Sequence, residues 1–227
     1  VKPSIISIAN TAGGSGKTTL AHALSVAFTE YGKKTLVIDL DPRASLTFRV
    51  GRENSRKTIS DYLLNTLTLE DLDPLTERFD FIASDSRSGV GYSEEALQSL
   101  INSLPKEYDL IVFDTPSDIN AGLIASLQVA DLILIPYSQT IHHYRGITQI
   151  HKLAPDTKKS LLLVGNESAI ADQFKQWQHL DGQCSLADEI GSAELTELSV
   201  LSTSKNSAIA AEMREAAYSV LEVLGID

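Results

Sequence analysis

The chain has one cysteine, Cys184, in 227 residues. A lone thiol forms no internal disulfide and builds no metal or iron–sulfur cage within one chain. It reads as a small buried or strand residue. Basic residues are scarce, with 19 Lys+Arg against 30 Asp+Glu and a formal net charge of −11. Taken alone, that balance argues against strong binding to nucleic acid or an anionic membrane. The sequence lacks an 18-residue apolar run and a recognisable signal peptide, so the expectation is a soluble, cytoplasmic protein. Internal repeats, low-complexity segments and evident linkers are also missing. The length and a hydrophobic fraction of 43% suit a single globular domain over 1–227. His142, His143 and His151 lack metal-ligand spacing, and Ser117 and Ser138 lack a histidine–acid arrangement, so neither a histidine metal site nor a serine nucleophile is expected.

The charge that is present is uneven. Arg43, Arg49, Arg52, Arg56 and Lys57 crowd one stretch, opposed only by Glu53, whereas 167–197 holds seven acids and a single base, Lys175. A local basic patch on an acidic body is therefore open. Along the chain, short apolar runs alternate with amphipathic stretches. Strands are predicted at Ser4–Ala9, Thr35–Asp39, Phe79–Ala83, Leu110–Phe113, Leu132–Ile135 and Ser160–Val164. Helices are predicted at Lys17–Tyr31, with Gly32 as its terminating glycine, and at Thr58–Leu64, Ser93–Leu104, Ala121–Val129 and about Tyr144–Leu153. The C-terminal third reads as mainly helical, ending in Ser207–Leu224, and the loop Asp85–Tyr92 reads as flexible. Such alternation predicts an α/β fold, a three-layer parallel sheet with helices on both faces, with ligands at the carboxyl ends of its strands.

Three segments at predicted strand ends carry the chemistry. The first is Asn10-Thr11-Ala12-Gly13-Gly14-Ser15-Gly16-Lys17-Thr18-Thr19, a glycine-rich turn between a strand and a helix. Gly13, Gly14, Ser15 and Gly16 let backbone N–H groups converge on a phosphate at a helix N-terminus. Lys17 can reach the outer phosphates and the Thr18 hydroxyl can ligate Mg²⁺, with Thr19 following in the first turn. The second is Asp39-Leu40-Asp41-Pro42, two carboxylates leaving a buried strand, poised for a cation or an attacking water. The third is Leu110-Ile111-Val112-Phe113-Asp114-Thr115-Pro116, in which Asp114 would hold a Mg²⁺-bound water.

Together these segments resemble the deviant Walker-motif ATPases, the ParA/MinD group of P-loop NTPases. Within it, the Asp39-x-Asp41-Pro42 turn and the absence of a basic membrane tail are closer to ParA-type partitioning ATPases. The resemblance implies ATP and Mg²⁺, an ATP-dependent sandwich homodimer, binding of nonspecific DNA on the nucleoid, and hydrolysis stimulated by a small ParB-like or McdB-like adaptor on a cargo. It assigns Lys17 and the loop amides to the phosphates. Thr18 falls to Mg²⁺, with Asp39 and Asp114 in the outer sphere, and Asp41 to the attacking water, with Asp39 the alternative. Pro136 and Asn166 sit where the group contacts adenine, although Asn166 also reads as an ordinary loop residue. Arg43 stands where glutamine is common.

The main departure is Ala12, where the group carries a lysine that crosses to the partner subunit's ATP. An ammonium about 3 Å from a phosphate charge gains roughly 5 kcal/mol gross at an effective dielectric near 20. The substitute suggested by the sequence is Lys152, with Arg145 second. The alternatives are a solvated Lys152 and a dimer that does without. Ala12 is compatible with the carboxysome-positioning McdA branch, which lacks that lysine. Two other functions on the same frame are a MinD-like membrane-cycling ATPase and an ATP-dependent metabolic enzyme. Candidate DNA contacts are Arg49, Arg52, Arg56, Lys57, Lys158, Lys159, Lys205 and Arg214.

Overall fold

The computed structural model describes residues 2–64, 72, 75, 77–87, 92–104, 107–167 and 169–226. Part of the Asp85–Tyr92 loop, expected to be flexible, lies outside them. Seven parallel strands form one sheet in the order β3-β2-β4-β1-β5-β6-β7. They are β1 (Ser4–Ile8), β2 (Thr35–Asp39), β3 (Asp80–Ile82), β4 (Leu110–Asp114), β5 (Leu132–Tyr137), β6 (Lys159–Val164) and β7 (His179–Cys184). The helices are α1 (Lys17–Glu30), α2 (Ser45–Arg49), α3 (Ile59–Leu63), α4 (Glu94–Ser103), α5 (Ala121–Val129), α6 (Ile141–Leu153), α7 (Asp188–Ala193), α8 (Val200–Thr203) and α9 (Ala208–Leu224).

The two-residue period of the strands sorts their side chains between the two faces. Ile6, Ile8, Val37, Val112, Leu132 and Leu134 pack with α1 and α9 in one core. Ile5, Leu36, Ile38, Ile111 and Phe113 turn the other way, toward α4 and α5. Ile133, Ile135 and Tyr137 meet Ile147 and Ile150 of α6. All five residues of β2 and of β4 are buried, which explains their unbroken apolar runs.

Local signals set the helix ends. Gly32, at φ +78°, follows α1, and Lys33 N–H bonds back to Phe28 carbonyl at 3.0 Å. Ser93, Asn120, Thr140 and Ser207 each accept a backbone N–H from the helix they precede. Thr140 starts α6 three residues before the periodicity predicts.

Two elements differ from the sequence reading. Strand β7 falls inside the third expected to be mainly helical. It is an edge strand whose centre, Asp181-Gly182-Gln183, is polar, so no apolar alternation marks it; α9 packs over it. Helix α2, only five residues long, follows Ala44 at φ +53°, a left-handed conformation that costs an alanine energy.

A buried polar knot ties α1 to α8. His22 Nε2 lies 2.5 Å from Glu77 Oε2, while Glu77 Oε1 accepts Ser199 N–H and Oγ–H at 2.9 Å and the Ser202 hydroxyl. Burial raises the Glu77 pKa, but the bonds from His22, Ser202 and Ser199 outweigh it and leave the group below its ordinary value. A lowered folded-state value means stabilisation present above pH 4.5 and lost as pH falls through the folded value. Glu77→Gln is expected to cost about 2 kcal/mol at neutral pH and less in acid. Urea unfolding at pH 7 and pH 4 measures both.

Candidate functional site

The strand ends place the site. Beyond Ile8 the chain turns through a loop in which Gly14 (φ +71°) and Gly16 (φ +87°) occupy the left-handed region that glycine enters freely. Gly16 is the N-cap of α1, whose first N–H groups have no helical partner, and the buried Ser15 hydroxyl has no hydrogen-bond partner among the described residues. Asn10, fully buried, braces the loop: its Nδ2 donates to the Pro136 carbonyl at 2.8 Å and its Oδ1 accepts Ala12 N–H at 2.9 Å. Helix α6 approaches so closely here that a Cβ on Gly146 would lie 2.0 Å from Asn10 Oδ1. From the same helix, His143 Nδ1 accepts Ser138 N–H at 2.7 Å, while burial lowers its pKa.

Parallel register sets the carboxylates side by side. Asp39 of β2 pairs with Asp114 of β4, and Asp114 with Ile8 of β1. Both acids have the parity of Val37 and Val112, which pack on the α1 side, the side of Lys17. Asp39 is satisfied from within, accepting Asp41 N–H at 3.0 Å on one oxygen and Thr47 N–H (2.9 Å) and Oγ–H (2.8 Å) on the other. Burial still pushes its pKa up to about 6. Asp114 is different. Neither of its oxygens has a donor in good geometry among the described residues. Burial, then the charge of Asp39, pushes its carboxyl up to about 8, with Thr18 and Lys17 offsetting only part. Lys17 is buried, donates to Ser117 Oγ at 2.7 Å, and has its pKa lowered by burial against the pull of Asp114 and Asp41. Helix-start N–H groups without helical partners, beside Lys17, the Asp114 carboxylate and the Ser15 hydroxyl, are the groups a hydrated Mg²⁺–phosphate pair requires.

A family model described as an AAA domain matches residues 3–162. The chromosome partitioning protein ParA of Caulobacter vibrioides is 29% identical over 173 residues, 69% of this chain and 64% of that protein. The maintenance of carboxysome distribution protein A of Synechococcus elongatus is 31% identical over 144 residues, 58% of this chain and 56% of that protein. The septum site-determining protein MinD of Pyrococcus horikoshii, solved in complex with Mg-ADP, superposes with a TM-score of 0.82 at 22% identity, covering 98% of each chain. The chain belongs to the ParA/MinD-type ATPase family. It spans under two thirds of the length of these two curated relatives.

The other residues expected of a ParA/MinD-type ATPase scatter more. Thr19 Oγ1 receives Arg49 Nη1 at 2.9 Å. Pro136 lies in β5 and receives Asn10. Asn166 is exposed just past β6 and holds Leu186 N–H at 3.0 Å. A cavity of about 570 Å³ opens beside Ala12 and Gly13, lined also by Ser117, Arg145 and Gln149. Arg145 thus reaches the loop's surroundings. Lys152 is exposed in the last turn of α6 and does not line this cavity. Several candidate DNA contacts are engaged internally: Arg49 with Glu194 at 2.5 Å, Arg214 with Glu30 at 2.6 Å, Lys158 with the Val223 carbonyl, and Lys159 with the Thr157 carbonyl.

Thr47, Ser117, His143 and Gly146 form part of the site without a motif to announce them. Only Ser117 stands beside motif residues in sequence; the others arrive from α2 and α6 by packing. The buried like charges of Asp39 and Asp114 imply an expected trade. Asp114→Asn removes one of them, so the nucleotide-free protein should melt a few degrees higher, a gain of about 1–2 kcal/mol. The same change should remove most of the thermal shift produced by Mg²⁺-nucleotide. Scanning calorimetry with and without Mg²⁺-ADP tests both halves.

Proposed function

We propose that this chain is a DNA-tethered positioning ATPase: it binds ATP-Mg²⁺, forms a nucleotide-sandwich homodimer, holds nonspecific DNA, and hydrolyses ATP to place a cargo through a small adaptor protein. The observation that carries the ATP reading is the buried Asp114 carboxylate, without a donor in good geometry among the described residues, in register with Asp39 and facing Lys17 at the end of the glycine loop. The tethered, cargo-positioning part rests on likeness to the Caulobacter partitioning protein and the Synechococcus carboxysome-distribution protein.

In this reading Lys17 and the amides of 13–19 hold the phosphates. Thr18, Asp39 and Asp114 would hold Mg²⁺, which when bound neutralises charge between the β- and γ-phosphates. Asp41 orients a water whose oxygen bonds to the γ-phosphorus as the bond to the β–γ bridging oxygen breaks, leaving ADP and phosphate; Asp39 is the alternative. Pro136 and Asn166 flank the adenine. Lys152, with Arg145 second, replaces the cation missing at Ala12. If Lys152→Ala leaves ATP-dependent dimerisation intact in analytical ultracentrifugation, that replacement is overturned.

DNA binding should appear with ATP and not with ADP or without nucleotide, vanish in Lys17→Ala, and fall steeply between 50 and 200 mM salt, by about a thousandfold if six phosphates are contacted. Gel shifts in the three nucleotide states at two salt concentrations read this out. Binding in no state overturns the tethering. The likeness to the septum-site protein favours a second reading, a membrane-cycling ATPase. ATP-dependent sedimentation with anionic vesicles, in place of DNA binding, would establish it.

A further inference from the structure

Asp41, the residue assigned to the attacking water, has most of its acceptor capacity taken by one residue. Its Oδ1 takes Arg43 N–H at 2.9 Å and Arg43 Nε at 3.2 Å, and its Oδ2 takes Arg43 Nε at 3.3 Å and Nη2 at 3.1 Å. The single Nε–H is shared between the two oxygens, so three N–H groups of one residue occupy most of the carboxylate's roughly four lone-pair positions. The Asp41 side chain is 9% exposed, whereas Arg43 is 60% exposed. The acid is therefore held in place while the guanidinium is free to leave.

The turn that presents Arg43 is built rather than incidental. Ala44 N–H bonds the Asp41 carbonyl at 2.8 Å, and Ala44 itself sits in the left-handed region at φ +53°. By lying on Asp41, Arg43 is placed at the group assigned to the attacking water. The Asp41 hydrogen bonds are the main stabilisation of its guanidinium, and the charges of Asp118 and Asp114 add to them. Its Nη1 hydrogens meet no acceptor among the described residues.

We propose that Arg43 is a clamp on Asp41 that only a terminal phosphate can draw off. In the empty or diphosphate-bound site the guanidinium stays on Asp41 and holds the acid away from the geometry that orients a water. When a nucleoside triphosphate is bound, the γ-phosphate offers a more highly charged acceptor with the same planar fit to a guanidinium. Arg43 transfers to it, and Asp41 is released to orient the water. One exchange then serves both to tell triphosphate from diphosphate and to restrain the carboxylate until there is a γ-phosphate to hydrolyse.

This rests on the reading of the site as one for ATP-Mg²⁺, and the test separates the two. The affinities of Mg²⁺-ADP and of a non-hydrolysable Mg²⁺-triphosphate analogue are measured by calorimetry for wild type, Arg43→Gln and Arg43→Lys. The expected result is a loss of about tenfold in triphosphate affinity for Arg43→Gln, with ADP affinity unchanged and partial recovery in Arg43→Lys. A triphosphate-to-diphosphate ratio preserved in Arg43→Gln overturns the clamp, and so does an equal loss of both affinities, which would mark Arg43 as a purely structural partner of the turn. Wild-type protein that binds neither nucleotide overturns the ATP reading and the clamp with it.

Discussion

Parallel pairing of β2, β4 and β1 forces two carboxylates into one buried row. Because Asp39 and Asp114 end neighbouring strands in register, neither can move away from the other without breaking the ladder that aligns them. In water a pair of acids would separate or stay solvated. Here the sheet holds them under the first turn of α1, and the cost falls mainly on Asp114, whose oxygens find no good donor among the described residues. Much of the surrounding architecture can be understood as accommodating that row.

The accommodation is asymmetric. Thr47 donates twice to Asp39 and also receives Ser84 N–H at 2.8 Å, so the short α2 is stitched to both β2 and the end of β3. That stitching explains why a five-residue helix persists behind a left-handed alanine. Asp41 receives Arg43. Lys17, itself desolvated, lies between the carboxylates and the place where phosphates would sit, bonded meanwhile to Ser117. Asp39 and Asp41 thus have resident partners, whereas Asp114 has no donor in good geometry among the described residues, which makes Asp114 the position where an incoming cation gains most.

On the opposite flank the glycine loop is held by side chains rather than by charge. Asn10 joins it to β5, and Gly146 lets α6 lie against Asn10 and Ala12 with no Cβ between them. The absence of a lysine at position 12 is therefore seen beside an unusually close helix. Arg145 and Gln149 of that helix line the adjoining cavity, and Thr11 donates to Gln149 at 2.5 Å. Lys152, three residues further along, sits on an exposed turn, because a helix advances about 100° per residue and residues 145 and 149 share a face that 152 continues only at the far end.

By itself the sequence determined the elements whose signals are local. The buried strands appear as unbroken apolar runs, α1 is bounded by the glycine loop and Gly32, and the polar caps Ser93 and Ser207 mark helix starts because a side-chain oxygen beside a free N–H needs no distant partner. It also determined the three strand-end motifs, since glycine at positive φ and carboxylates after apolar runs are properties of short segments. Tertiary structure alone decided what lies between segments. It added β7, whose polar centre is tolerated only because a sheet edge and α9 receive it. It brought Thr47, His143 and Gly146 to the site from helices with no motif of their own. It engaged Arg49, Arg214, Lys158 and Lys159 with carboxylates and carbonyls, and it paired Arg43 with Asp41. Those outcomes depend on which groups meet across the fold, and charge or composition read along the chain carries no information about distance.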